Sequence, residues 1–574
     1  MPKGSDAVAT FLDDRGVTCV FELIGGMIVH LLDSISQAKR IEIVSMHHEQ
    51  GAAFAADGHA RMTGMPGVAM ATSGPGAINL LTGIASCYFD STPAVFITGQ
   101  VNRSELKGGR AVRQLGFQET DIVSVAAPIT KAAWRVDEPE QLIPLLERSF
   151  DLASAGRPGP VLIDIPMDIQ RADVPDVERK RPQAPRAERT FDDDAMTELL
   201  RALKASERPL VLLGGGVRSS STSRDVLELV ETLGIPAVNS LMAVDALPYA
   251  HPLRFGMIGS YGNRWANLAV GEADLLLVLG SRLDIRQTGS DTEAFKANRA
   301  IFQVDCEPGE INNRITGCRA IVSHLRPFLD EFLPIARSEA FRPRTKWLDA
   351  LRHLRQRWPD TDELAGTPGI NPNVLMHQLS AASSDAAAYI ADVGQHQMWA
   401  AQSLELLAGQ RFMTSGGLGS MGFGLPASIG AAFAARGRPI VLVAGDGGFQ
   451  TNIQELQTVA RNHLPIRMVI INNQTHGMVR QFQQTYFDSR YQSTVWGYSA
   501  PKFASVASAY GIPSMAVEAP AQVQGALDWM SDESGPALLE VMVSRDTNAY
   551  PKIAFGRPMT EMEPLATPVG IEGT

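Results

Sequence analysis

Cysteine is scarce in this chain, with four residues in 574. None of Cys19, Cys87, Cys306 and Cys318 stands in a CxxC spacing. That argues against a disulfide framework and the common zinc and redox motifs, and leaves reduced, structural thiols. Long apolar runs are missing as well. No stretch of roughly 18 apolar residues occurs, and the N-terminus carries no charged-then-apolar signal. The expectation is a cytoplasmic protein with no membrane partner. Basic residues do not predominate either: 51 Lys and Arg against 62 Asp and Glu give a net charge of −11, which argues against a nucleic-acid partner. A GxGxxG fingerprint is also lacking, so a hydride-transferring dinucleotide site has little support.

What is present is ordinary for a globular enzyme: 45% hydrophobic and 20% charged residues. The length exceeds one core and predicts two to four domains. Apolar strand-like runs alternate with helical patterns throughout, which predicts an α/β protein of three doubly wound, mostly parallel sheets. The expected units are 1–175, 190–336 and 370–547, with a Pro- and Gly-rich tail, 548–574, lying over a surface as a lid or strap. The charged, proline-containing string at 177–190 reads as a linker.

The most informative stretch is Gly445 to Asn473. A strand, Pro439 to Ala444, stops at Gly445-Asp446-Gly447-Gly448; a helical pattern follows (Ile453, Leu456, Val459); a second strand, Ile466 to Ile471, ends at Asn472-Asn473. Polar residues are thereby gathered at the carboxyl ends of two strands, where ligands of open α/β sheets bind. One carboxylate, one amide oxygen and glycine-exposed N–H groups suit Mg2+ shared with a diphosphate. Other strings have plainer readings taken alone. Glu49 in His47-His48-Glu49-Gln50-Gly51 is a first-turn glutamate favoured by the helix dipole. Thr72-Ser73-Gly74-Pro75-Gly76 is a strand–helix turn.

GDG followed by NN resembles the metal and diphosphate motif of thiamine-diphosphate (ThDP) enzymes. The remaining strings narrow the resemblance to the acetolactate synthase (acetohydroxyacid synthase) large-subunit group, over about residues 5 to 555. They are HEQGA, ATSGPGAINLLTGIASCYFDSTPAVFITGQV, Phe117-Gln118-Glu119-Thr120-Asp121, Asp392-Val393-Gly394-Gln395-His396, and the glycine-rich Ser415 to Pro426. The resemblance implies a first, pyrimidine-binding unit, a central FAD-type unit and a third, diphosphate-binding unit. It makes Glu49 the carboxylate on the aminopyrimidine, with Phe117 and Gln118 beside the reacting carbon. Asp446, Asn473 and the Thr475 carbonyl become the metal ligands. Gly26, Pro75, Val393, Gly394, Gln395, His396, Gly419, Met421, Gly447, Gly448, His476, Gly477 and Met478 become ThDP contacts. The Gly419 carbonyl would hold the 4′-amino group and Met421 would bend the cofactor.

The central strings resemble that group's FAD segment, through Gly215, Gly216, Gly280, Arg282, Asp284 and Arg286, although Ile285 breaks its aspartate pair. FAD there does no redox work. The implied reaction is decarboxylation of pyruvate and ligation of the two-carbon unit to a second carbonyl compound, in a homodimer or homotetramer with active sites between subunits. Val479, Phe482 and Arg286 would face the acceptor. Three regions depart from the group near that acceptor: Phe482 in place of Trp, Gly259-Ser260-Tyr261-Gly262, and the tail Lys552 to Pro558. They keep open a carboligase for another ketone, such as a nucleotide-linked keto-sugar, and a simple 2-oxo-acid decarboxylase is a further rival.

Overall fold

The computed structural model describes residues 1–175 and 193–565. The linker read at 177–190 and the last tail residues, 566–574, lie outside them. Three six-stranded sheets, all parallel, carry the chain. The first comprises β1 (Cys19–Leu23), β2 (Glu42–Ser45), β3 (Gly67–Ala71), β4 (Ala94–Gln100), β5 (Ala132–Arg135) and β6 (Pro160–Pro166), in the order β2-β1-β3-β4-β6-β5. The second comprises β7 (Pro209–Leu213), β8 (Ala237–Asn239), β9 (Arg254–Met257), β10 (Leu275–Leu279), β11 (Ala300–Asp305) and β12 (Arg319–Val322), in the order β12-β11-β10-β7-β8-β9. The third comprises β13 (Ala388–Ala391), β14 (Arg411–Met413), β15 (Ile440–Gly445), β16 (Ile466–Asn472), β17 (Ser514–Val517) and β18 (Ala537–Met542), in the order β14-β13-β15-β16-β18-β17.

The first and third orders are the same once each unit is counted from its own first strand. Residue identity carries no visible repeat, yet the topology is one. The central order is that of the dinucleotide-binding fold, with its switch point between β7 and β10. Central strands such as β4, β10 and β16 are buried along their whole length, as strands covered on both faces must be.

The helix Glu49–Thr63 and the helix Gly424–Ala434 pack backbone to backbone, which joins the first unit to the third. Alanine and glycine at the facing positions permit that approach. The helix expected after Asp446 is interrupted: Asp446–Thr451 is α-helical, Ile453–Glu455 is 3-10, and Leu456–Arg461 resumes the α-helix. The break falls at Asn452, whose amide donates to the Gly422 carbonyl at 2.8 Å and reaches Gln50 at 3.3 Å. The described part of the tail forms a small antiparallel pair, Lys552–Ile553 with Met562–Glu563, and Ile553 is buried among central-unit side chains. Among the described residues no helix is long and apolar enough to cross a membrane.

Candidate active site

The first unit gathers its polar residues at the carboxyl ends of β1 to β4. Glu49 opens its helix, where His48 caps the start by accepting from the Gln50 N–H at 3.0 Å. Glu49 is 7% exposed, and its carboxylate accepts from the Asn79 amide at 3.0 Å. Pro75 begins the short helix that carries Asn79, and Gly76 lies so near that an added Cβ would stand 3.2 Å from Glu49 Oε1. Gly26 starts a 3-10 turn beside Thr72, whose hydroxyl accepts from the Met27 N–H at 3.2 Å. Gln118 sits at φ 65, with its Cβ against Gly74. Phe117 projects outward, 78% exposed.

In the third unit the polar residues converge at the end of β15. Asp446 is buried, and its Oδ2 has no hydrogen-bond partner. Burial pushes its carboxyl up to about 6; the Tyr498 hydroxyl and the Gly447 and Thr475 N–H groups oppose that without cancelling it. A buried carboxylate oxygen left open is what a cation would satisfy. Asn473 commits its amide nitrogen to Gln395 Oε1 at 3.3 Å, so its carbonyl oxygen is available. The Thr475 hydroxyl is bonded to the Thr494 carbonyl, which leaves Thr475 its main chain to offer. Among the described residues there is no cluster of three His, Cys, Asp or Glu side chains suited to a metal. This site would not need one, since Mg2+ takes one or two carboxylates and completes its shell with phosphate and water. The donors present therefore fit Mg2+ and a diphosphate.

Around Asp446 the other expected residues close in. A Cβ on Gly447 would stand 2.7 Å from the His476 ring and 3.3 Å from Met421, so three separate motifs meet at one glycine. The His396 Nε2 accepts from the Gly445 N–H at 3.2 Å, and burial holds that imidazole neutral, down to about 3. Gln395 donates to Gln481 at 3.1 Å and packs against Gly477. Val393 and Gly394 form the turn before Gln395, Gly448 packs on Asp392, and Met478 follows Gly477 in the helix Gly477–Tyr486. Val479 and Phe482 lie on that helix's outer face, 53% and 50% exposed. Gly419, at φ 74, holds a conformation that other residues resist. The two groups of residues are linked within the chain by Asn452 to Gln50 and by Glu455, which accepts from the His47 N–H at 3.0 Å.

Sequence reasoning missed several supports. Asp392 accepts from both the Val393 N–H at 2.6 Å and the Gly422 N–H at 3.0 Å, tying two motifs together. Its place at the head of a quoted motif was the available signal. Asn79, which steadies Glu49, also lay inside a quoted string. Tyr498 had no signal at all.

In the central unit, Gly215, Gly216, Gly280, Arg282, Asp284 and Arg286 all line one cleft of about 960 Å3 at the switch point. Gly216 and Gly280 touch backbone to backbone: a Cβ on either would meet the other 2.7 Å away. Asp284 caps the short helix Ile285–Thr288, accepting from the Arg286 N–H at 2.8 Å, and is 3.8 Å from Arg282. Arginines, open main-chain groups and this volume fit a dinucleotide diphosphate. The three departing regions also come together. Ile553 N–H donates to the Ser260 carbonyl at 2.9 Å, the Phe482 and Phe555 rings lie 4.7 and 6.3 Å from that of Tyr486, and Lys552 Nζ lies 5.1 Å from the same Tyr486 ring.

Comparison with known proteins accounts for all three units. The chain matches the thiamine pyrophosphate enzyme N-terminal TPP binding domain over residues 2–125, the central domain over 196–332 and the C-terminal TPP binding domain over 392–541. It is 37% identical over 563 residues to the acetolactate synthase isozyme 1 large subunit of Escherichia coli, covering 97% of each chain. It is 38% identical over 564 residues to the isozyme 2 large subunit of the same organism, covering 98% of this chain and 99% of that one. An acetolactate synthase of Arthrospira platensis is 37% identical over 577 residues, 98% of each chain.

Proposed function

The chain belongs to the thiamine-diphosphate-dependent acetolactate synthase large-subunit family, and from that premise we propose that it removes CO2 from pyruvate and joins the remaining two-carbon unit to a second carbonyl compound. With pyruvate as acceptor the product is 2-acetolactate. The observation that carries this reading is the convergence at Gly447: an orphaned buried carboxylate oxygen on Asp446, the His476 ring and Met421 surround one open backbone position.

Thiamine diphosphate, when bound, supplies the carbon nucleophile and the electron sink that let CO2 depart and the acyl unit transfer. The chain's own part is positional and electrostatic. Asp446, Asn473 and the Thr475 main chain would hold Mg2+, and Gln395, His396 and the 445–448 turn would hold the diphosphate. Glu49, kept nearly dry and steadied by Asn79, would hold the proton at the aminopyrimidine. The Gly419 carbonyl and the Met421 side chain would hold that ring. Phe117 and Gln118 border the reacting carbon, and Val479, Phe482 and Arg286 face the acceptor. Phe117, Met421, Val479 and Phe482, once covered, would give the reacting carbon an apolar border that excludes water and so favours ligation over aldehyde release. The central cleft, through Gly215, Gly216, Arg282 and Arg286, would hold FAD, which does no redox work in this reaction.

The active form is at least a homodimer, with Glu49 of one protomer serving the third unit of its partner. Phe117, Met421, Val479 and Phe482 are 40 to 78% exposed in the single chain, which is how a site completed by a second copy would look. A cytoplasmic location accords with four free thiols, three of them buried. The test is turnover of pyruvate by the purified protein with ThDP and Mg2+, the products identified by mass spectrometry. 2-Acetolactate is expected, with activity lost in chelator. Acetaldehyde as the sole product, or undiminished activity without metal, would overturn the reading.

A further inference from the structure

The loop that carries Gly419 and Met421 is held from both ends by carboxylates, and one of them comes from the other cofactor-binding unit. Asp392 holds its far end at the Gly422 N–H. Asp90, the last residue of the first-unit helix Leu81–Asp90, holds its near end: Oδ1 accepts from the Gly417 N–H at 2.6 Å and Oδ2 from the Gly416 N–H at 3.2 Å. The Asp90 carboxylate is 1% exposed.

Arg61 locks it from behind. Its Nη2 donates to Asp90 Oδ2 at 3.0 Å, its guanidinium forks onto Asp57 at 2.5 and 3.1 Å, and its Nη1 donates to the Thr414 carbonyl at 2.8 Å. Ser86, on the same helix as Asp90, lies 3.3 Å from the Ser415 hydroxyl, which accepts from the Ser420 N–H at 3.1 Å. Gly417 approaches so closely that an added Cβ would stand 2.8 Å from Asp90 Oδ1. From the third unit, the near end is held where it leaves β14, by Gln397 donating to the Thr414 hydroxyl at 2.6 Å.

We propose that Asp90, backed by Arg61, is a positioning residue: it sets where the Gly419 carbonyl and Met421 stand, and through them the reach of the aminopyrimidine to thiazolium C2. This rests on the roles assigned above to Gly419 and Met421. A charge-assisted bond to a buried main-chain N–H is short and directional, so replacing one acceptor oxygen with an NH2 group that faces two donors displaces the loop. The diphosphate and metal contacts lie on other segments and are left alone.

Asp90→Asn in the full-length protein loaded with ThDP and Mg2+ tests this, read by hydrogen–deuterium exchange at thiazolium C2 after acid quench. Half-saturation by ThDP, followed through protein fluorescence, is measured beside it. The expected result is exchange slowed by about 10-fold or more, since loss of a charged hydrogen bond is worth that factor, with ThDP half-saturation within about 3-fold of wild type. Ser86→Ala, a milder change to the same end of the loop, is expected to slow exchange less and serves if Asp90→Asn does not fold. Exchange at the wild-type rate in both variants overturns the inference. So does a parallel loss of exchange, ThDP binding and thermal stability, which would make Asp90 merely structural. Met421→Ala is the control. If it leaves exchange unchanged, the reading of the loop itself is wrong; if it slows exchange while Asp90→Asn does not, only the present inference fails.

Discussion

Replacing Gly430 with alanine sets two effects of one methyl group against each other. Gly430 lies inside the helix Gly424–Ala434, where alanine is intrinsically better than glycine by about 1 kcal/mol. Its face, however, rests on the backbone of the Glu49–Thr63 helix. A Cβ there would stand 2.7 Å from the Ala55 carbonyl carbon, 2.9 Å from the His59 nitrogen and closer still to the Ala55 oxygen. Carbon contacts are comfortable only at roughly 3.5–4.0 Å, so the helices must part by on the order of 1 Å. Nothing yields cheaply, because the obstacle is backbone. Overpacking of this kind costs about 1–3 kcal/mol or more, and separating two whole helices belongs at the upper end. Net destabilisation of about 2 kcal/mol follows from that cost less the propensity gain. Gly525, inside the helix Pro520–Asp532, has nothing within 4 Å of a built Cβ, so Gly525→Ala keeps only the gain. Urea titrations followed by tryptophan fluorescence should therefore move in opposite directions for the two variants. Equal midpoints for Gly430→Ala and wild type would refute the claim that this contact is backbone-limited.

Three further outcomes are expected. Glu49→Gln keeps size but removes the proton-accepting carboxylate, so turnover should fall by roughly 10² to 10⁴ with ThDP still bound, and C2 exchange should slow in parallel. Phe482→Trp fills space beside Tyr486 and should raise the preference for 2-oxobutyrate over pyruvate by up to about 10², the range one methylene commands; an identical product ratio in direct competition would show that this residue does not read the acceptor. His377 lies 3.0 Å from Asp360 and 2.7 Å from Glu405; burial lowers its pKa, but the two carboxylates outweigh it and hold the value above that of a free histidine. Its contribution is fully present below about pH 6.5 and is lost as pH rises through the higher folded value, so the stability deficit of His377→Ala should be largest at mildly acid pH and shrink toward pH 8.

The parts legible in the sequence were those whose chemistry is contiguous. A strand end, its glycine turn and the next helix start fall within one short string, so Glu49, Asp446, Asn473 and the 392–396 turn could be proposed as site residues from motif alone. What escaped depends on distant segments meeting. Asn452 breaks its helix to reach Gly422 and Gln50, residues on two other segments, and the helical spacing of Ile453, Leu456 and Val459 says nothing of that. The three departing regions each bordered the acceptor by resemblance; that Ile553 bonds Ser260 while Phe555 lies beside Tyr486 is a tertiary fact. The tail read as a strap, and its pairing of Lys552 with Glu563 depends on a turn that no periodicity marks.

The hidden repeat explains why the first and third units fit one another. In each, the helix after the second strand carries an alanine followed three residues later by glycine: Ala55 and Gly58, Ala427 and Gly430. Residues three apart share a helix face. The structure sets Gly58 on the backbone of Ala427, and Gly430 on the backbone of Ala55. The same position thus meets its counterpart's partner in both directions, which is the reciprocity of a two-fold contact made inside a single chain. Such a contact is stable only if both glycines stay bare, so a methyl on Gly58 should act as one on Gly430 does. It also fixes the relative turn of the two sheets, because each helix is anchored to its own sheet at known strands.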